Sequence, residues 1–290
     1  MKDDQAVREH HPDFILIGAM KCGTTTLQAQ LAAQADVFMS TPKEPNYFSD
    51  DEVFAQGPDW YGALFAEMPD GALRGEASTH YTKLPTYPQT LARMTKTLRD
   101  DLKLIYMIRD PVARAVSHYI HAWSLREAGV DAAAVFRNHS EFVDYGCYGM
   151  QIAPFIEAYG REKILLTSLE AFKEDPDMEF SRVAAFLGLP ETAVWQHDLE
   201  AQNVSGRRFR RLPFQSVLVD NPVARALRYA LVPARLRQRI RERRQIVEKP
   251  TIPEDVTARM KARFLEDRDL LAGFFPDHPA LAACYPFCTA

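Results

Sequence analysis

The sequence predicts an α/β fold: a parallel β-sheet flanked by α-helices, in a single domain with a helical C-terminal part. Three observations predict it. Short, predominantly apolar runs recur at residues 14–17, 102–108 and 164–167, as central parallel strands buried on both faces require. Stretches with apolar residues at helical spacing lie between them. Glycine or Asp-Pro stands at the joints where a strand would turn into a helix.

Residues 14–17 (FILI) read as a buried strand that stops at Gly18. Residues 24–34 follow as a helix with Leu27 and Leu31 on one face. Residues 37–39 form a second short strand, 42–58 are loop-rich, and 73–76 form a third strand. Residues 102–108 (LKLIYMI) give the clearest strand. Asp110 then serves as N-cap and Pro111 as first residue of a helix. Its apolar stripe is Val112, Val116, Ile120 and Trp123, with Arg114, Ser117, His121 and Ser124 on another face. A helix over 152–159 stops at Gly160, a strand covers 164–167, and a helix over 180–187 ends at Gly188. Residues 222–247 give a basic helix pattern broken at Pro233, and 253–275 a last long helix. The domain is expected over 13–275, with 1–12 and 276–290 as terminal extensions.

Composition narrows the function classes. Of 290 residues, 47% are apolar and 26% charged, which excludes a disordered chain, a collagen-like repeat and a long coiled coil. No apolar run approaches the length of a membrane span. The N-terminal MKDDQAVREHHPD lacks the apolar core of a signal peptide, so a cytoplasmic location is expected. Cys22, Cys147, Cys284 and Cys288 make no disulfide framework, and Cys284-x-x-x-Cys288 has no neighbouring pair of histidines. Reduced structural thiols, and no metal, are the expectation.

Charge is unevenly spread. Between Arg207 and Arg244 stand 12 arginines, no lysine and two acids, a net of +10, inside a chain whose overall charge is −4. That pattern points to a local anion-binding surface and not to nucleic-acid binding. An amphipathic helix there is compatible with peripheral contact with an anionic membrane or with a channel for an acidic acceptor. Docking on its own domain is the plainer reading.

Two motifs suggest chemistry. The first strand runs into Gly18-Ala19-Met20-Lys21-Cys22-Gly23-Thr24-Thr25-Thr26 and then a helix. Backbone N–H groups at a helix start, with the helix dipole behind them, bind phosphate. Lys21 adds a point charge, and Thr24, Thr25 and Thr26 add hydroxyl donors. A nucleoside triphosphatase loop would place its Lys after the second glycine; here Lys21 precedes Gly23. The second motif, Arg109-Asp110-Pro111-Val112-Ala113-Arg114-Ala115-Val116-Ser117-His118-Tyr119, puts Arg109 at the carboxyl end of a central strand, the edge where open α/β sheets bind ligands. Arginine there offers a planar fork for phosphate oxygens; taken alone, an Arg109–Asp110 ion pair explains it equally.

Together the two motifs resemble the sulfotransferase family. The first is similar to its 5′-phosphosulfate loop and the second to its 3′-phosphate motif, in which Arg and Ser stand eight residues apart, as Arg109 and Ser117 do. The resemblance implies a P-loop-type sheet, the donor 3′-phosphoadenosine 5′-phosphosulfate (PAPS), the product adenosine 3′,5′-bisphosphate and no metal. It extends to Thr41-Pro42-Lys43-Glu44-Pro45-Asn46-Tyr47-Phe48 and Gly75-Glu76-Ala77-Ser78-Thr79-His80-Tyr81, which are similar to segments of the heparan-sulfate-type enzymes. It also covers residues 146–151, placing Tyr148 at the donor, and Asn203-Val204-Ser205-Gly206-Arg207, whose Gly206, Arg207 and Arg208 would close over the 3′-phosphate. Cys22 and Gly23 fall within the donor loop. Ala77 and Thr25 depart from relatives that carry Lys and Arg there, so glycosaminoglycan specificity is not implied.

The resemblance assigns Lys21 to the leaving phosphate and Glu44 to the general base, with His80 as rival base. His118 and His121 are expected to be structural. Glu76 is expected to orient Lys21 or the acceptor, or else to sit in an ion pair. The acceptor, a glycan, lipid or small molecule bearing a hydroxyl or, less in keeping with the match, an amine, is not written in the sequence. The competing classes are a P-loop nucleotide kinase or NTPase and a non-enzymatic polyanion-binding module.

Overall fold

The structure, a computed structural model, describes residues 11–199 and 251–289. Five strands, β1 (Phe14–Gly18), β2 (Val37–Met39), β3 (Leu73–Ala77), β4 (Lys103–Ile108) and β5 (Ile164–Ser168), form one sheet in the order β2-β3-β1-β4-β5. Every pairing is parallel. All of β1 is buried, as the unbroken apolar run requires. From β1 the chain builds outward first through β2 and β3, then returns to add β4 and β5 on the other side. The crevice at which such a sheet binds ligands therefore lies between the carboxyl ends of β1 and β4. Both motif loops leave the sheet at that point.

The helices follow the expected joints, with some differences. Asp110 caps the helix Pro111–Leu125, accepting from Val112 N at 2.8 Å and Ala113 N at 3.1 Å. Its buried face differs from the expected stripe. Arg114, Ser117, His118 and Ser124 are buried, whereas Val112, Val116 and Trp123 are only half-buried. Residues 141–145 pack against this polar side of the helix: His118 packs 4.3 Å from the Phe142 ring and 5.6 Å from Tyr145, and Arg114 donates to Phe142 O.

The helix expected from residue 152 starts four residues earlier, at Tyr148, and runs to Tyr159. Its first amides are satisfied by a distant side chain. Asp267 accepts from Gly149 N at 2.7 Å and from Met150 N at 2.8 Å. Asp267 lies on the C-terminal helix Glu254–Phe274, whose backbone comes so close that a Cβ on Gly149 would stand 2.6 Å from Asp267 O. The helix expected from 180 also starts earlier: Asp175 caps Pro176–Leu187, repeating the Asp-Pro device of residues 110–111.

Residues beyond 275, expected as an extension, contribute Ala280, Leu281, Cys284 and Tyr285 to the same hydrophobic core. His11 is likewise buried. Among the described residues no helix is long and apolar enough to cross a membrane. The basic stretch from Arg207 to Arg244, with Gly206, Arg207 and Arg208, lies outside the described residues.

Candidate active site at the carboxyl edge of the sheet

The first loop turns from β1 into the helix Thr24–Ala32 through Gly23, whose φ of 95° is a left-handed conformation suited to glycine. No side chain caps this helix, and its dipole favours an anion at this end. Lys21 also takes a left-handed φ, 69°. Among the described residues five non-glycines have positive φ, and three of them, Lys21, Glu44 and Asn46, lie in the loops of this crevice. Such backbone strain concentrates where a site must be held in one geometry.

The two motifs meet directly. Arg109 Nη1 donates to Lys21 O at 3.2 Å, while Arg109 Nε is buried without a partner. An orphaned donor of this kind, beside an uncapped helix start, fits an anionic ligand. Asp110 is spent on capping its helix, and the alternative of an Arg109–Asp110 ion pair is not what the side chains do. Ser117 is buried at 9% exposure, and Thr24 is buried while Thr25 and Thr26 are half-buried.

Two side chains assigned to the donor instead point inward. Cys22 is fully buried: its N–H donates to Ala19 O at 3.2 Å and its Sγ lies 3.5 Å from Tyr148 Oη. Burial pushes its thiol up to about 11, so it stays a neutral packing group. Tyr148 is also fully buried, and its hydroxyl donates to Arg109 O at 2.9 Å and accepts from Arg109 N at 3.4 Å. It thus ties the Cys22 loop to the Arg109 loop from beneath. Motif position places a backbone at the site; whether the side chain faces ligand or core is decided by packing.

Across the crevice stand Glu44, on the loop after β2, and the 3-10 turn Thr79–Thr82 that follows β3. Glu44 N donates to Ala77 O at 3.0 Å, pinning the loop to the end of β3. Its Oε1 accepts from Lys43 Nζ at 2.8 Å and from Thr79 Oγ1 at 3.1 Å. Both bonds fall on Oε1, which leaves Oε2 open on a carboxylate that is 35% exposed. Burial alone would raise its pKa; the charge and hydrogen bond of Lys43, the Thr79 hydroxyl and the Lys83 charge outweigh it and hold the carboxyl below its ordinary value. At neutral pH Glu44 is an ionised acceptor.

His80 stacks on Tyr87, 4.8 Å between centroids, with Nδ1 buried and unpartnered. Burial and the neighbouring Lys83 charge lower its pKa to about 4, against the pull of Glu44 and Asp50, so its imidazole is neutral and weakly basic. His118 is more depressed, to about 2, by burial and then by Arg114, Lys83, Lys21 and His121. Glu76 does not reach the crevice. It is fully buried, its Oε2 accepts from Tyr61 Oη, and burial raises its pKa against the hydroxyls of Ser78, Tyr61 and Tyr81. The expectation that it orients Lys21, or pairs with a cation, is replaced by a carboxyl held among tyrosines. Thr79, Lys83 and Arg114 belong to this neighbourhood and carry no role in the sequence reading; Arg114 stands inside the second motif, and the signal for Thr79 and Lys83 was only their closeness to His80 in the chain.

Comparisons with known proteins converge on one family. Residues 11–216 match the family model of the sulfotransferase domain. The chain is 30% identical over 195 residues to heparan sulfate glucosamine 3-O-sulfotransferase 3A1 of Mus musculus, covering 64% of this chain and 48% of that protein. It is 29% identical over 199 residues to heparan sulfate glucosamine 3-O-sulfotransferase 6 of Homo sapiens, covering 66% and 56%. The chain thus spans about half the length of the curated relatives it matches. Among solved structures, a sulfotransferase from Alicyclobacillus acidocaldarius shares the fold, with a TM-score of 0.63 at 22% identity over 93% of this chain and 98% of that one.

Proposed function

The chain belongs to the sulfotransferase family, and from that membership we propose that it transfers the sulfuryl group of PAPS to a hydroxyl of its acceptor, with Glu44 as general base. The observation that carries this reading is the pairing of the two anion loops at one crevice, joined through the 3.2 Å bond from Arg109 to Lys21 O, with the open Oε2 of Glu44 on the facing loop. The uncapped helix start, Lys21 and the threonines would hold the 5′-phosphosulfate; the orphaned Arg109 Nε, with Ser117, would hold the 3′-phosphate.

In the reaction the acceptor oxygen attacks sulfur in line with the bridging oxygen of the 5′-phosphate. A new S–O bond forms, the old one breaks, and its electron pair leaves on adenosine 3′,5′-bisphosphate. The acceptor proton passes to Glu44. Lys21 and the helix start offset the charge that grows on the departing phosphate, the kind of preorganised stabilisation that dominates many enzymes. No step calls for a metal. The hydroxyl acceptor is favoured over an amine because the relatives just described are named as 3-O-sulfotransferases; a glycan, lipid or small molecule would each supply it.

Adenosine 3′,5′-bisphosphate should raise the melting temperature of the protein, and ATP with Mg²⁺ should not. A screen of glycans, lipids and phenols with labelled PAPS should then find an acceptor. Stabilisation by ATP–Mg²⁺ alone would return the chain to the nucleotide-kinase reading.

A further inference from the structure

Lys83 follows the 3-10 turn that carries Thr79 and His80, and it is 7% exposed. A lysine so deeply buried is expected to give its ammonium to an acceptor. Among the described residues that ammonium has no hydrogen-bond acceptor; the contact it makes is over the Tyr145 ring, 5.8 Å from Nζ to the centroid. The charge acts on Glu44 and is acted on by Arg114. It also acts, together with Lys21 of the donor loop, on His118. Lys83 therefore stands near the acceptor-side carboxylate and the helix Pro111–Leu125. Neither the donor contacts nor the proton transfer to Glu44 engages it.

We propose that Lys83 is a second cationic residue of the transfer centre, donating to an oxygen of the sulfuryl group as that group passes from the phosphate held by Lys21 to the acceptor beside Glu44. The inference rests on the PAPS reading. An ammonium without a protein acceptor has its donors available for an oxyanion, and in a site shielded from water such a bond is strong. Sulfur gains the acceptor oxygen, the phosphate leaves with the electron pair, the proton goes to Glu44, and Lys83 keeps its own proton throughout. A positive charge here also keeps Glu44 ionised.

The groups that face Lys83 are Glu44 from the loop after β2, His80 from its own turn, Arg114 and His118 from the helix Pro111–Leu125, and Tyr145. Burial, and then Arg114, lower its pKa to about 8 against the pull of Glu44. Its charge is therefore lost progressively as pH rises through about 8.

The test compares two ligands that differ only in the sulfuryl group. Calorimetric affinities for PAPS and for adenosine 3′,5′-bisphosphate are measured in wild type, Lys83→Met and Lys83→Arg. Lys83→Met should lose about tenfold in PAPS affinity with bisphosphate affinity unchanged, and Lys83→Arg should recover most of it. In wild type the preference for PAPS should fall as pH rises past about 8, while bisphosphate binding follows no such step. Equal losses for both ligands, or none, would overturn the assignment and leave the PAPS reading standing. Should Lys83→Met not fold, the wild-type pH series decides, and a flat PAPS preference overturns it. If wild type binds neither ligand, both readings fall together.

Discussion

The two sides of the crevice are held in different ways. On the donor side Lys21 and Arg109 sit where strands β1 and β4 end, and each is followed by a helix start. Tyr148 bonds both loops from below, and the helix carrying Tyr148 is in turn anchored by Asp267. On the acceptor side Glu44, His80 and Lys83 hang from a loop and a 3-10 turn, and burial and neighbouring charges set their protonation: Lys43 and Lys83 act on Glu44, and Lys83 on His80. Rigid backbone sets the first side and electrostatics tune the second. On the proposed reading the donor side binds a fixed anion, whereas the acceptor side takes up a proton and admits the acceptor. Substitutions on the two sides should therefore separate binding from chemistry.

The largest effect belongs to the donor side. Lys21→Ala should reduce transfer from labelled PAPS by about 10²–10³ or more, the usual scale for a lost donor at developing negative charge. Arg109→Ala should instead weaken adenosine 3′,5′-bisphosphate by about 10–100-fold, read by calorimetry. Unchanged bisphosphate affinity in both variants would break the picture of two loops on one ligand.

Next comes the acceptor side. Glu44→Gln should lower turnover by about 10²–10⁴ with melting temperature and bisphosphate affinity preserved, because Glu44 touches neither the core nor the phosphate loop. His80→Ala should cost far less. In wild type the carboxyl pKa lies below its ordinary value of 4.5, so activity should persist to that pH and fall only below it. A dead His80→Ala beside a near-normal Glu44→Gln would move the base to the histidine.

Much of the donor side was legible in the sequence because strand ends and helix starts have local signatures. The apolar runs of β1, β4 and β5, the Asp110-Pro111 cap, Lys21 and Arg109 could all be read from neighbours in the chain. The directions of Cys22 and Tyr148 could not, since a motif fixes backbone position and packing fixes the rotamer. The start of the helix Tyr148–Tyr159 was hidden because its cap, Asp267, lies 118 residues from Gly149. The start of Pro176–Leu187 has a local signature in Asp175-Pro176, an N-cap followed by a helix-first proline. On the acceptor side Glu44 and His80 came from resemblance alone. Lys83 was invisible, because a lysine in a turn reads as solvated until the fold buries it.

That long-range cap also offers a test of whether stiffness of the donor side matters. Asp267→Ala leaves two N–H groups at the start of Tyr148–Tyr159 unpaired in a buried place, at a cost of about 1–3 kcal/mol by urea denaturation. Because Tyr148 hangs from the same helix end, affinity for adenosine 3′,5′-bisphosphate should fall several-fold, while the acid limit set by Glu44 stays where it was. A loss of stability with no loss of bisphosphate affinity would uncouple the helix from the loops.

The smallest effect lies behind the acceptor side, at Glu76. Its carboxyl is wholly buried with Tyr61, and burial raises its folded pKa above the ordinary 4.5, against the hydroxyls around it. A carboxyl whose pKa is raised on folding binds its proton more tightly in the folded state. Its favourable contribution is therefore complete below about 4.5 and is lost as pH rises through the higher folded value. A tenfold tighter hold on that proton corresponds to roughly 1.4 kcal/mol. Glu76→Gln keeps the shape and removes the titration. Relative to wild type, the variant should gain stability in urea denaturation as pH rises above 4.5, whatever its offset at acid pH. Identical pH profiles for the two proteins would mean that Glu76 ionises as easily in the fold as out of it. The core beneath the acceptor turn would then be wetter than its packing implies, and the contrast between a tuned acceptor side and a stiff donor side would lose its physical basis.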